Sequence, residues 1–79
     1  MNYDHYSVAN SIADSLDVEG HADWAMQLKN VIAEGATGTE ILMGLRWHLR
    51  RLKDSGLAIS PSVQIQVDEL LAELNKALA

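Results

Sequence analysis

The 79-residue chain contains no cysteine, no phenylalanine and a single proline. Without cysteine there can be no disulfide, no zinc-thiolate site, no iron-sulfur ligand set and no thiol nucleophile, and nothing in the composition points outside the cell. The N-terminal stretch MNYDHYSVAN has neither the basic opening nor the apolar run of a secretory signal, and no window approaches the ~20 apolar residues of a membrane span. A cytoplasmic protein with no membrane partner is the expectation. Basic residues are also scarce: six Lys and Arg against eleven Asp and Glu leave a net charge of -5. Affinity for phosphate backbones comes mainly from lysine and arginine, so this balance argues against nucleic acid and favours a basic partner.

What the chain does have is apolar residues in helical register. With 48% apolar and 22% charged residues, the composition is that of a folding chain rather than a disordered one. A core of this size supplies roughly 3 to 5 kcal/mol unless a metal, disulfide or partner adds to it, which makes a homodimer a natural possibility.

Between 61 and 78, Val63, Val67, Leu70, Leu71, Leu74, Ala77 and Leu78 recur at three- and four-residue steps, the mark of an amphipathic helix. Ser60 is placed to cap it, and Pro61 takes the first helical position, where its missing N–H costs nothing. Trp24, Ala25, Leu28, Val31 and Ile32 predict a second helix over about 21 to 34, closed by Gly35. Thr37 and Glu40 have the spacing of a capping box and open a helix over about 38 to 55, whose stripe is Ile41, Leu42, Leu45, Leu49 and Leu52. Gly56 ends that helix, with Leu57 placed for the apolar contact that accompanies such caps. Ala9, Ile12, Ala13 and Leu16 form a weaker stripe between a capping Asp4 and a terminating Gly20. Its small residues suggest a first helix that lies against the others and frays. No stretch alternates apolar and polar residues as a strand would. The expected fold is all-α, one domain over 1–79, a compact bundle of four short antiparallel helices joined by short connections.

GLRWHLRRLK, residues 44 to 53, holds four of the six basic residues around Trp47 and His48. At ~100° per residue, Met43 and Trp47 point away from the main stripe of their helix, with Arg50 and Arg51 flanking them. Two readings follow. In one, helix one or two covers Met43 and Trp47, and the arginines pair with Asp14, Asp17, Glu19 and Asp23. In the other, Trp47 is partly exposed, and Met43, Trp47, Arg50 and Arg51 form a protein-interaction surface, since Trp and Arg are enriched at such contacts. The exposure of Trp47 decides between them. A DNA-recognition role fits poorly, because the helix begins TEILMGL and keeps its arginines in its second half.

His5, His21 and His48 form no i, i+4 ligand pair, and His21 reads as a half-buried, hydrogen-bonded structural residue. No serine or threonine carries the neighbours of an activated nucleophile. The GATG stretch at 35 to 38 lacks the lysine and preceding strand of a phosphate loop and reads as a cap and turn. The chain is therefore expected to be non-enzymatic, without cofactor, metal or small-molecule substrate. A deep pocket holding both His21 and His48 would argue otherwise.

Residues 20 to 49, GHADWAMQLKNVIAEGATGTEILMGLRWHL, resemble a pattern found in small, uncharacterised all-helical bacterial proteins: Gly-His, a tryptophan, a glycine-closed helix, then Glu-Ile-Leu opening the next. Some proteins of that kind are similar to immunity proteins, acidic partners that neutralise a toxin made by the same cell. The resemblance implies a helical fold and, as an alternative function, binding of a basic toxin through the acidic surface. It carries over no residue-level motif.

Overall fold

A computed structural model describes residues 3–34 and 37–79, which form four helices: α1 (His5–Val18), α2 (Ala22–Glu34), α3 (Gly38–Asp54) and α4 (Pro61–Leu78). Among the described residues there is no strand, and no helix is long and apolar enough to cross a membrane.

Both ends of α1 and of α3, and the start of α4, are set by local chemistry that the sequence carries. Asp4 Oδ1 accepts the Ser7 N–H at 3.0 Å and starts α1. Gly20, at φ 89°, ends it: the Gly20 N–H reaches Asp17 O and the His21 N–H reaches Leu16 O, the paired bonds of a Schellman cap. Gly35, the residue expected to close α2, lies outside the described residues. Thr37 Oγ1 accepts the Glu40 N–H at 3.1 Å. Only this forward half of the capping box forms, since the Glu40 carboxylate makes no hydrogen bond among the described residues. At the end of α3, Gly56 has φ 72° and the Ser55 hydroxyl acts as a relay, donating to Leu52 O and accepting from the Leu57 N–H. Leu57 packs against the core, as its position after the glycine predicts. Ser60 Oγ accepts the Val63 N–H, with Pro61 in the first turn of α4.

The helices occupy the corners of a square. Helices α1 and α3 each pack on α2 and α4, which places α1 and α3 at opposite corners. Pairs across the α2/α3 and α3/α4 seams run in opposite chain directions, so these neighbours are antiparallel. Arg51 meets Trp24 and Gly44 meets Val31 between α3 and α2. Lys53 meets Asp68 and Arg50 meets Asn75 between α3 and α4. The end of α1 reaches the start of α4 through Glu19 and Ser60. The longest dimension of the molecule, 29 Å, is close to the ~27 Å expected of an 18-residue helix.

One core runs the length of the bundle. It is built from Ile12 and Leu16 of α1, Ala25 and Leu28 of α2, Leu45, Leu49 and Leu52 of α3, and Val63, Val67, Leu70 and Leu74 of α4. Ala77, counted on the α4 stripe from its spacing, is exposed. Helix α1 is docked: Ala9, Ile12, Ala13 and Leu16 are fully buried. Its small residues reflect close approach to the neighbouring helices.

Candidate functional site

Helix α3 has a strongly amphipathic pattern with an added feature on its outer side. Leu45, Leu49 and Leu52 point inward and are buried. Arg50 and Lys53 lean toward α4, where Arg50 Nη2 donates to Asn75 Oδ1 at 3.4 Å and Lys53 Nζ to Asp68 Oδ1 at 2.6 Å. Gly44 and Arg51 lie on the α2 side. Met43 and Trp47 project outward and are 50% and 57% exposed. The reading in which another helix covers these two side chains is thereby set aside.

Trp47 is exposed yet held in place. The Arg51 guanidinium carbon lies 4.7 Å from the Trp47 ring centroid and 5.6 Å from that of Trp24 on α2, within reach of a cation–π attraction to both indoles. The Trp47 ring also meets His48 edge to face, with centroids 4.8 Å apart and planes at 86°. An arginine clamp and an aromatic neighbour restrict the indole's rotamers, so less entropy remains to be lost when a partner covers it.

His48 is half-buried beneath this surface. Burial and the nearby Arg51 charge hold its imidazole below the usual histidine pKa. Its Nδ1 is buried without a hydrogen-bond partner, and so is Gln27 Oε1 on α2. The antiparallel step that sets Gly44 against Val31 and Arg51 against Trp24 brings Gln27 level with His48, so both orphaned atoms fall in the α2/α3 seam.

The basic residues divide by type. Each lysine holds a carboxylate: Lys29 on Asp14 at 2.7 Å, Lys53 on Asp68 at 2.6 Å and Lys76 on Glu73 at 3.3 Å. None of the three arginines, all on α3, forms an ion pair among the described residues. The expected pairing of Arg50 and Arg51 with Asp14, Asp17, Glu19 or Asp23 is not made. Arg50 instead meets an asparagine and Arg51 two indoles, while Asp14 belongs to Lys29 and Glu19 to Ser60. Guanidinium, planar and weakly hydrated, suits aromatic stacking better than ammonium does. The α3 corner is therefore basic, whereas the opposite α1 corner carries Asp4, Asp14, Asp17 and Glu19 with no lysine or arginine.

Of the four residues read as a surface, Met43 and Trp47 lie exposed on the outer side of α3 and Arg51 stacks on Trp47, while Arg50 leans away to Asn75 of α4. Sequence reasoning missed Trp24, which shares Arg51, and Gly44, which lets α2 approach α3. An unpunctuated glycine inside a helical stripe was the available signal for the latter.

Elsewhere, His21 is half-buried and its Nε2 lies 2.8 Å from Ala58 O, a structural role. It borders an open groove of about 280 Å³ with Gly20, Ala22, Asp23, Trp24 and Leu57, to which His48 does not contribute. A second open groove, of about 420 Å³, lies at the start of α1 between Tyr3, Asp4, His5, Tyr6 and Leu42. Among the described residues no group of three or more His, Asp or Glu side chains could hold a metal ion.

No family model, curated protein or solved structure matches the chain.

Proposed function

We propose that this chain is a non-enzymatic protein-interaction module acting in the cytoplasm, and that its contact surface is the outer face of α3 around Met43, Trp47, Arg50 and Arg51. The observation that carries this reading is an indole more than half exposed but clamped by Arg51. An exposed tryptophan bordered by arginines has the composition of an interface centre. The partner covers Met43 and Trp47 with an apolar surface and offers carboxylates or carbonyls to the arginines at the rim.

An immunity-type role would use the acidic α1 corner instead, on a basic toxin. Four carboxylates without a neighbouring cation on the same helix support it. Two of them weigh against it, since Asp14 and Glu19 are already engaged within the bundle.

The experiment compares the native chain with M43S/W47S and with D17N/D23N, which removes carboxylates at the end of α1 and the adjoining start of α2, as baits in extract from its own cells, after circular dichroism shows each to be folded. Loss of a central tryptophan costs about 2 kcal/mol or more, about thirtyfold in affinity, so the first variant should lose what the native chain retains. Retention of the same proteins by M43S/W47S would refute the α3 reading. Loss confined to D17N/D23N would favour the acidic face.

A further inference from the structure

The outer face of α3 has an internal order that suits a particular partner. From its N-terminus, its centre and α2 side read Glu40, Met43, Trp47, Arg51: acid, apolar, apolar, base, with Arg50 bordering them on the α4 side and Asp54 beyond. Read in the opposite direction, the same list complements itself. We infer that the occupant of this face is a second copy of the chain, docked α3 against α3 in antiparallel fashion about a twofold axis. This inference rests on the α3 reading of the preceding section.

The geometry follows from the helix alone. An axis perpendicular to α3 at the level of Leu45 places Met43 and Trp47 two residues to either side of it, so each Met43 faces the other copy's Trp47. Glu40 and Arg51 lie five and six residues from the same level, within one rise of ~1.5 Å of direct opposition. Lateral placement agrees as well. At ~100° per residue, Glu40 and Arg51 both fall on the α2 side of the outward direction, and a twofold axis of this kind keeps side chains on the same side. Glu40 therefore meets the other copy's Arg51, and the pair occurs twice.

Three observations fit this occupant. The Glu40 carboxylate, which the capping box would have turned back on Thr37, is exposed and unbonded among the described residues. Arg51 stands beside Trp47 without an ion pair among those residues. Met43 and Trp47 are the large apolar side chains of α3 left exposed. Each unsatisfied group finds its complement in the same surface turned end for end. Arg46 and Arg50 fall on the α4 side, where Arg50 donates to Asn75.

Charge exchange tests the arrangement. The native chain should sediment as a dimer at about 0.1 mM. E40R sets two arginines together at each end, and R51E sets two glutamates together, so each variant alone should dissociate at least about tenfold more readily. Mixed together, the two variants restore Glu–Arg opposition at both ends and should form a heterodimer, detected by mass with one copy tagged. Circular dichroism of each variant reports folding. A dimer that survives E40R and R51E, or two folded variants that fail to pair when mixed, would overturn the arrangement. A native chain that remains monomeric would also overturn it. Capture of another protein by that monomer, lost in M43S/W47S, would leave the α3 contact standing with a different occupant. Indifference of every association to M43S/W47S would remove both.

Discussion

Gly44 of α3 faces Val31 of α2 so closely that a Cβ on the glycine would stand 2.8 Å from Val31 Cγ1. Valine is stiff at χ1 and cannot swing its methyl aside freely. The absence of a side chain at 44 therefore sets how near α2 and α3 approach, and so how Trp24 and Trp47 come to share Arg51.

Gly44→Ala separates two opposed effects. Removing glycine from a helix interior gains about 1 kcal/mol, while overpacking costs about 1 to 3 kcal/mol. The expected net result is destabilisation by about 1 kcal/mol, a large fraction of what so small a core supplies. Val31→Ala in the same chain makes room, and the double variant should be more stable than the two single losses added together. Urea unfolding midpoints of the four proteins give the coupling.

Trp47→Ala should leave the helical signal intact and lower stability by about 1 kcal/mol or less, the scale of an exposed cation–π contact. Leu49→Ala, at a fully buried position of the same helix, should cost about 2 to 5 kcal/mol and unfold much of the population. If Trp47→Ala behaves like Leu49→Ala in thermal unfolding, the indole is a core residue and the α3 contact reading is refuted.

His48 makes stability depend on pH in a known direction. Its folded pKa lies below the unfolded value because burial and Arg51 disfavour the imidazolium. Below the unfolded value of ~6.5 the unfolded chain binds more protons, so stability falls as the pH drops through and below that value. His48→Gln should flatten this part of the profile. Unfolding midpoints at pH 7.5 and 5.5 for both proteins measure it, and equal slopes would show that His48 is not the titrating group.

Glu19 acts across the bundle. Its carboxylate accepts the Ser60 hydroxyl at 2.8 Å and the Ser60 N–H at 2.9 Å, and these two bonds lower its pKa below the usual glutamate value. The stabilisation is present above the ordinary glutamate range and is lost as the pH falls through the lowered folded value. Ser60→Ala removes the hydroxyl bond to Glu19 and the α4 cap, keeps the backbone N–H bond, and should cost about 1 kcal/mol through the lost cap. Glu19→Gln should leave α4 helical but speed amide exchange in its first turn at neutral pH, and should remove the acid-side loss of that protection.

The helices themselves were legible because their signals are local. Asp4, Gly20, Thr37, Gly56, Ser60 and Pro61 stop or start a helix through contacts within a few residues, and each does so here. The stripes on α3 and α4 could be read for the same reason, since side chains three and four apart share a face in any helix. That Met43 and Trp47 lie on one side and Leu45, Leu49 and Leu52 on the other follows from that period alone.

Which of two apolar faces another helix would cover could not be read in this way. Covering depends on the placement of α1 and α2, and spacing along α3 contains no information about either. The tertiary structure left Trp47 outside because α1 docks at the opposite corner and α2 approaches at Gly44, where the missing side chain admits Val31. It likewise decided the fate of the charges: spacing could bring Arg50 and Arg51 to one face, but only three-dimensional packing could give the carboxylates to lysines and leave Arg51 to two indoles. Local punctuation is written in neighbouring residues, whereas exposure and ion pairing depend on groups distant along the chain that meet only once it has folded.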